Sequence, residues 1–393
     1  MVPKLRFKEF CGEWEEFVLK DVVDLRREKY NPQKSDKNFK CIELEHLSQE
    51  TGEIIGSISS LNQKSIKNKF YKDDILYGKL RPYLRKYAYC TFEGVCSSEI
   101  WVLNSTTLNN RLLFYYIQTD EFQSVANISS GTKMPRADWN KLKLKKIKVP
   151  SLSEQIKIAD FLSTVDDKIQ NQEDKITHLE NIKKGFMKKI FSRKIRFKDD
   201  GEEEFPEWEE KKLRDIADVR DGTHDSPKYI KDGYPFITSK NLTEDGKIDF
   251  SEISYISEND YKKINERSKV EIGDILFGMI GTIGKPVLVD KEGFAIKNVA
   301  LIKKSEILLN NYLIQYLQTD YIKKQFLLEQ AGGTQKFIAL SVIRRLKIYL
   351  PCLKEQQKIA DFLSSFDKKI STEKDILEYL KEIKKGLLQQ MFV

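Results

Sequence analysis

The stretch PSLSEQIKIADFLSTVDDKI, from Pro150 to Ile169, reappears as PCLKEQQKIADFLSSFDKKI, from Pro351 to Ile370, with 14 of 20 positions identical. Identity of that length is no accident of helix propensity; it marks a duplication. KKGFMKKIF (183–191) is echoed by KKGLLQQMF (384–392) at the same offset of 201. Upstream the correspondence is looser. WEEFVLKDVVDL from Trp14 matches WEEKKLRDIADV from Trp208, DDILYGK from Asp73 matches GDILFGM from Gly273, and YYIQTDEF from Tyr115 matches QYLQTDYI from Gln315. SSGTKM from Ser129 aligns with AGGTQK from Ala331, and the offsets drift between 194 and 202, as short loop insertions produce. A large domain has been used twice, which is not the short period of a solenoid.

Each half reads as a mixed domain followed by one long helix. Short apolar runs bounded by Gly, Asp and Pro predict strands: KCIELEHL, DDILYGKL and GVCSSEIWVL in the first half, and YPFITSKNL, GDILFGMI, KPVLVD and FAIKNVALI in the second. Helical spacing covers Leu108 to Phe122 and Leu308 to Leu328. The expected fold class is α+β, repeated, with boundaries at 1–150 (first domain), 151–198 (helix and start of a linker), 199–350 (acidic linker and second domain) and 351–393 (C-terminal helix).

In the long helices, Ser153 can cap the first, and Glu154 and Glu355 put negative charge where a helix start favours it. Apolar residues then recur at Ile158, Leu162, Val165, Ile169, Ile176, Leu179, Phe186 and Ile190, weakening at Gln172 and Lys183. The second copy repeats the pattern at Ile359, Leu363, Phe366, Ile370, Leu377, Leu380, Leu387 and Met391, weakening at Glu373 and Lys384. This is a heptad seam with polar interruptions at matched places. From Glu154 to Phe191 such a helix is about 57 Å long, too long to hide its own stripe. The economical solution packs the two copies antiparallel, with a domain at each end; the alternative folds each helix back on its own domain.

The 393 residues suffice for two domains, and 68 Lys and Arg against 60 Asp and Glu give a formal charge of +8, a weak pointer to an acidic partner. Cys11, Cys41, Cys90, Cys96 and Cys352 form no C-x-x-C knuckle and only three histidines accompany them, so reduced thiols in the cytoplasm are expected rather than a metal site. MVPKLRFKEF lacks an apolar leader core, and no apolar run reaches membrane-spanning length.

Several polar clusters are candidates for contact with DNA. GTKMPRADWNKLKLKKIKVP carries Lys133, Arg136, Lys141, Lys143, Lys145, Lys146 and Lys148 against Asp138 alone. KLKLKKIKV reads as an edge strand whose lysines either protect against aggregation or contact phosphate. The turns with Gly131, Thr132 and Lys133, and with Gly333, Thr334, Gln335 and Lys336, allow close backbone approach beside polar donors. YGKLRPYLRKY sets Lys79, Arg81, Arg85 and Lys86 among tyrosines, and the arginine fork matches guanine O6 and N7. The matching FGMIGTIGKPVLV holds only Lys285. In DGTHDSP, Thr223 and His224 either reach DNA or hold the turn. KDDGEEEFPEWEE (198–210) reads as a solvated linker.

Catalytic motifs are missing. GMIGTIGKP has five residues between Gly278 and Gly284 where a phosphate loop has four, and Pro286 where that loop has Ser or Thr. Neither a dinucleotide fingerprint, an amino-methylation motif, a trusted nuclease centre nor a nucleophile and base pattern is found. A non-catalytic chain is expected.

The repeated P-x-L-x-E-Q-x-K-I-A-D-F-L segment with its long helix, the two variable domains and the G-D-I-L and G-T turns resemble the specificity subunit of type I restriction-modification systems, over the whole chain. The resemblance implies two tandem target recognition domains joined by two long antiparallel coiled-coil helices in a pseudo-twofold arrangement. Each domain would read one half of a bipartite, asymmetric DNA sequence. The carry-over puts DNA reading on Lys79 to Arg85, Gly131 to Arg136, Asp221 to His224, Lys285 and Gly333 to Lys336. Subunit docking falls on the helices, with Ile158, Leu162, Val165, Ile169, Ile359, Leu363, Phe366 and Ile370 as interface residues. Implied partners are double-stranded DNA, two modification subunits holding S-adenosylmethionine and two restriction subunits using ATP and Mg, with no cofactor in this chain. Asp73 departs from the glycine of the second copy, tolerable where that turn needs no positive φ. The alternatives are a scaffold or antirestriction-type protein that binds methyltransferase subunits without reading sequence, and a nuclease.

Overall fold

The computed structural model describes residues 3–128, 134–280, 284–330 and 337–392. The chain divides into two compact units, Met1–Asp174 with Asp375–Val393 (unit 1) and Lys175–Lys374 (unit 2), so each takes one globular portion and part of both long helices. The sequence boundaries at 150, 198 and 350 follow chain segments; the compact units cut through the helices instead.

The fold class is α+β in both units. In unit 1, Glu15–Val18 pairs antiparallel with Lys146–Val149. A four-stranded sheet runs Asp24–Leu25, Ile100–Asn104, Ile75–Gly78, Tyr87–Tyr89, and a five-stranded one runs Lys29–Tyr30, Lys67–Phe70, Gly94–Cys96, Lys40–Ile42, Ile58–Ser59. Unit 2 repeats the plan. Glu209–Lys212 pairs with Lys347–Leu350, a four-stranded sheet runs Val219–Asp221, Val299–Ile302, Ile275–Gly278, Pro286–Leu288, and a three-stranded one runs Ser254–Ile256, Tyr234–Thr238, Ala295–Lys297. One pairing in each unit is parallel, Lys40–Ile42 with Gly94–Cys96 and Tyr234–Thr238 with Ala295–Lys297. Ile75–Gly78 and Ile275–Gly278 are buried at every position, as central strands covered on both faces must be.

Two local expectations change. The helical stretch from Leu108 to Phe122 is two helices, Asn110–Tyr116 and Asp120–Ala126, because Thr119 takes the N-cap position and its hydroxyl accepts from Phe122 N. The run KLKLKKIKV is a strand only from Lys146. Before it, Asp138 caps the helical turn Trp139–Leu142, its carboxylate accepting from Asn140 N.

The long helices span Leu152–Phe191 and Leu353–Met391. Their packing combines both arrangements considered from sequence. Ile158, Ala159 and Leu162 lie in the unit 1 core with Trp14, Tyr77, Phe114 and Phe122, and Leu388 and Met391 of the second helix join them. Ile359, Ala360 and Leu363 lie in the unit 2 core with Trp208, Phe277, Tyr312 and Tyr316, joined by Ile190. The first turns of each helix are therefore part of a globular core, and the helix pairing grows out of it. Within unit 1, Asp166 meets Lys384 at 2.7 Å and Glu173 meets Lys381 at 2.9 Å. Within unit 2, Lys183 meets Asp367 at 2.5 Å, Glu180 meets Lys374 at 2.7 Å and Lys175 meets Glu373 at 2.7 Å. From Asp166–Lys384 to Glu173–Lys381, and from Lys175–Glu373 to Lys183–Asp367, one number rises as the other falls, so the pairing is antiparallel. The lysines that interrupt the seam, Lys183 and Lys384, hold the matched aspartates, a register device familiar from coiled coils. Asp166 also accepts from Tyr115 Oη at 2.8 Å, and Asp367 from Gln315 Nε2 at 2.7 Å.

The acidic linker is exposed over most of its length and anchored at two points. Phe205 and Trp208 are buried, Asp200 pairs with Lys358 at 2.7 Å, and Arg196 gathers the segment through Phe205 O, Pro206 O and Glu207. Two apolar anchors in an acidic string are enough to dock it.

Candidate nucleic-acid interface

The loop Lys79–Arg85 follows a strand ending at Gly78, and main-chain hydrogen bonds shape it. Lys79 N donates to Glu99 O at 3.0 Å, Arg81 N to Pro135 O at 2.8 Å, and Ala137 N to Lys79 O at 2.8 Å, with Leu80 bridging Arg136. Two candidate segments far apart in sequence, Lys79–Arg85 and the residues before Arg136, are thus brought together. Arg81 (φ 53°) and Arg85 (φ 48°) both adopt the left-handed conformation around the short helical turn Pro82–Leu84. Such backbone in a bulky residue is uncommon and collects at functional turns.

The two arginines have different tasks. Arg85 points inward: its guanidinium donates to Gln118 O and, at 3.0 Å, to Asp120 Oδ1. That bond holds the Asp120 carboxyl below its ordinary value, against the opposing effect of burial. Arg85, named as a candidate for DNA contact, braces the loop through these bonds. Arg81 is exposed and its guanidinium has no hydrogen bond or ion pair among the described residues. Tyr83 (57% exposed) and Met134 (55%) accompany it, and Arg136 is half exposed while its Nε donates to Glu99 Oε2 at 3.0 Å. Lys79 is partly buried. Lys133, like Thr334, Gln335 and Lys336, lies outside the described residues. The downstream lysines are partly neutralised, Lys145 by Glu121 at 2.9 Å and Lys146 by Glu16 at 2.7 Å.

In unit 2 the corresponding segments meet in the same way, with Ile280 bridging Phe337 and Ile338 N donating to Met279 O at 2.8 Å. Lys285 is drawn to Glu244 at 3.4 Å. Thr223 donates its backbone N–H to Ile296 O at 3.0 Å. The His224 ring bridges Asp221 Oδ2 at 3.0 Å and Asn298 Oδ1 at 2.7 Å, while Asp221 also pairs with Arg267. The His224 ring is thus bound within its own turn while its side chain stays exposed.

The eight helix residues named as interface candidates divide by burial. Ile158, Leu162, Val165, Ile359, Leu363 and Ile370 are buried within the chain, while Ile169 and Phe366 are half-buried. The buried ones pack within the chain.

The partners of Glu154 and Glu355 escaped sequence reading. At the start of the first long helix, buried Glu154 accepts from Arg6 at 2.7 and 2.8 Å and from Trp14 Nε1 at 3.3 Å. At the start of the second, buried Glu355 accepts from Arg196 at 3.2 and 2.9 Å and from Trp208 Nε1 at 2.8 Å. The repeated signal was present in KLRFK (4–8) and KIRFK (194–198), each ahead of its tryptophan. Among the described residues no group of three or more His, Cys, Asp or Glu is placed to hold a metal ion, and no helix is long and apolar enough to cross a membrane.

Comparison with known proteins agrees with this arrangement. The family described as Type I restriction modification DNA specificity domain matches residues 12–181 and again 206–382. The type I restriction enzyme MjaVIII specificity subunit of Methanocaldococcus jannaschii is 29% identical over 312 residues, covering 75% of this chain and 73% of the relative. The MjaIX specificity subunit of the same organism is 28% identical over 298 residues, covering 71% and 67%. Among solved structures, the S subunit of a type I restriction-modification system from M. genitalium superposes with a TM-score of 0.58 at 16% identity, over 100% of this chain and 99% of that one. A chain from a structure addressing complex assembly and conformational transition of the type I system gives 0.61 at 18% identity, over 97% and 98%. The chain belongs to the type I restriction-modification DNA specificity family and is the sequence-specific DNA recognition subunit of such a complex.

Proposed function

We infer that each unit reads one half of a bipartite, asymmetric DNA target, through the turn that follows its buried central strand. The observation that carries this reading is the same pairing in both units, Leu80 with Arg136 and Ile280 with Phe337. In unit 1 the braced loop presents Arg81, Tyr83 and Arg136. Each bidentate contact to a base edge contributes about 1–3 kcal/mol of discrimination, and basic groups nearby supply the salt-dependent part of affinity. Thr223, His224, Lys285 and the residues of the two G-T turns are kept as flanking candidates. The outward faces of the long helices dock two modification subunits, which hold S-adenosylmethionine. Two restriction subunits, using ATP and Mg, complete a cytoplasmic assembly.

The test is a base-resolution map of N6-methyladenine in cells carrying this chain with its modification subunit, against cells lacking only this chain. Loss of a split motif with a fixed unread spacer supports the reading. An unchanged map despite a stable, expressed complex favours the scaffold alternative. A helical insertion within Leu152–Phe191 is expected to change the spacer length and leave both half-sites unchanged; an altered half-site with the old spacer contradicts the helix as the spacing element.

A further inference from the structure

The turns of the two units share one bridge and one adjoining main-chain bond, which makes the side chains at those positions comparable. Leu80 corresponds to Ile280 and Arg136 to Phe337, each pair forming one antiparallel bridge. The adjoining bonds, Ala137 N to Lys79 O and Ile338 N to Met279 O, are both 2.8 Å. Where unit 1 shows a guanidinium, unit 2 shows a phenyl ring.

The exposure of that ring is selective. Met279 and Ile338, the next residues on the two segments, are 1% and 3% exposed, whereas Ile280 and Phe337 are 41% and 45% exposed. Cross-strand partners lie side by side, so the two form one apolar surface standing out of the fold. The described cations of the nearby turns do not compete with it, since Lys285 is drawn to Glu244 and His224 is held by Asp221 and Asn298. Unit 1 offers the opposite surface: exposed Arg81, fixed by a left-handed backbone and by the Arg85 brace, beside Arg136.

The base edges available in the major groove separate these two chemistries. Guanine offers two acceptors, O6 and N7, that a guanidinium fork matches, and thymine alone offers a methyl group, which only apolar contact recognises. Resting on the reading that these turns face DNA, we propose that unit 1 reads a guanine through Arg81 with Arg136, while unit 2 reads a thymine by packing Phe337 and Ile280 against its C5-methyl. The two half-sites are then distinguished by opposite chemistries set on one backbone frame.

The experiment uses the full chain in complex with its modification subunits. Methylation maps of Phe337→Ala and Arg81→Ala assign the half-sites, each variant relaxing a different one. Phe337 is half exposed, so its replacement spares the core, and Phe337→Leu serves as the conservative control that keeps an apolar contact. Synthetic duplexes at fixed salt then carry uracil for each thymine in the half-site assigned to Phe337. Removal of one methyl is expected to weaken wild-type binding about fourfold at one position, with the difference absent in Phe337→Ala and retained in Phe337→Leu. In the other half-site, 7-deazaguanine is expected to weaken binding about tenfold or more at one position, and not in Arg81→Ala. Should the half-site assigned to Phe337 contain no thymine, or uracil bind as well as thymine, the methyl contact is wrong while the turns remain the DNA face. The guanine assignment falls in the same way where 7-deazaguanine has no effect. Should neither variant alter either half-site in a fully assembled complex, the turns are not the DNA face and the underlying reading fails.

Discussion

In unit 1 the turn after the central strand is a braced loop carrying arginines, with Arg85 bound beneath it to Gln118 O and Asp120. In unit 2 the corresponding turn lies between Gly278 and Gly284, whose backbones meet at 3.4 Å, and its exposed residues at the matching bridge are Ile280 and Phe337. Where each domain meets its long helix the situation is reversed, for the same three residue types, Arg, Trp and Glu, form the same cluster in both. Main-chain bonds shape both turns, with the Arg85 brace added in unit 1, so the exposed side chains at the bridge are free to differ. The helix start is held by side chains themselves and admits no such freedom.

The largest expected effect comes from breaking the held place. Removing one partner of a buried ion pair leaves the other charge uncompensated, at about 3–5 kcal/mol. Glu355→Ala is expected near the low end, about 3 kcal/mol, because Arg196 keeps Glu207 and two carbonyl acceptors. Glu154→Ala is expected to cost more, since among the described residues Arg6 has no acceptor besides Glu154. Urea unfolding of the full chain, with hydrogen exchange resolving the two units, measures both. A larger loss in unit 2 than in unit 1 contradicts the ranking.

The two clusters also show where sequence reading stops. The strands, the paired helices and the duplication were legible because each rests on local periodicity or on repetition, as in Ile75–Gly78 and Ile275–Gly278. Glu154 and Glu355 were noticed as charges at helix starts, yet their arginines lie 148 and 159 positions away, beyond any local pattern. Arg85 looked like its neighbour Arg81 because a string of basic residues does not reveal which one turns inward. The direction is set by Asp120, which belongs to a helix 35 positions later. The acidic linker is solvated as its composition suggests, but its anchoring is decided by Phe205 and Trp208, which composition does not reveal.

A smaller effect sharpens the contrast between the loops. Arg85→Ala removes the brace and is expected to speed amide exchange in the 79–85 loop roughly tenfold, the low end for hydrogen bonds to charged groups because Asp120 is well exposed. The same brace makes unit 1 acid-sensitive. The folded pKa of Asp120 lies below its unfolded value because of the Arg85 bond. The pair therefore contributes its full stability above the ordinary aspartate value, about 3.9, and loses it as the pH falls through the depressed folded value. The Arg85 side-chain NMR signals should follow protonation of Asp120, with a midpoint below about 3.9. The matching Asp320 has only a long pairing with Lys323, at 3.7 Å. A loop that loosens at higher pH, or equally in both units, contradicts the brace.

The smallest effect tests whether the two units share one backbone despite a difference in residue. Sequence comparison left open whether the turn before the central strand needs a positive φ, since unit 1 has aspartate where unit 2 has glycine. Both are left-handed, Asp73 at 69° and Gly273 at 88°, and both donate the same bond, to Cys90 O and Val289 O at 2.8 Å. Aspartate is among the few residues that tolerate this conformation, and here its carboxylate also accepts from Tyr89 Oη at 3.0 Å. Gly273→Ala is therefore expected to cost about 1 kcal/mol, with the new Cβ 3.2 Å from the flexible Lys304 side chain adding little. Gly273→Asp should cost less than the alanine change, because it restores the residue that unit 1 already uses. Asp73→Gly should stay within about 0.5 kcal/mol of wild type, as relief of the left-handed strain offsets the freer unfolded chain and the lost tyrosine bond. Thermal unfolding of the three variants measures the series. Alanine and aspartate costing the same at position 273 would mean that the left-handed turn is not what selects these residues, and that the two units tolerate different backbones at this point.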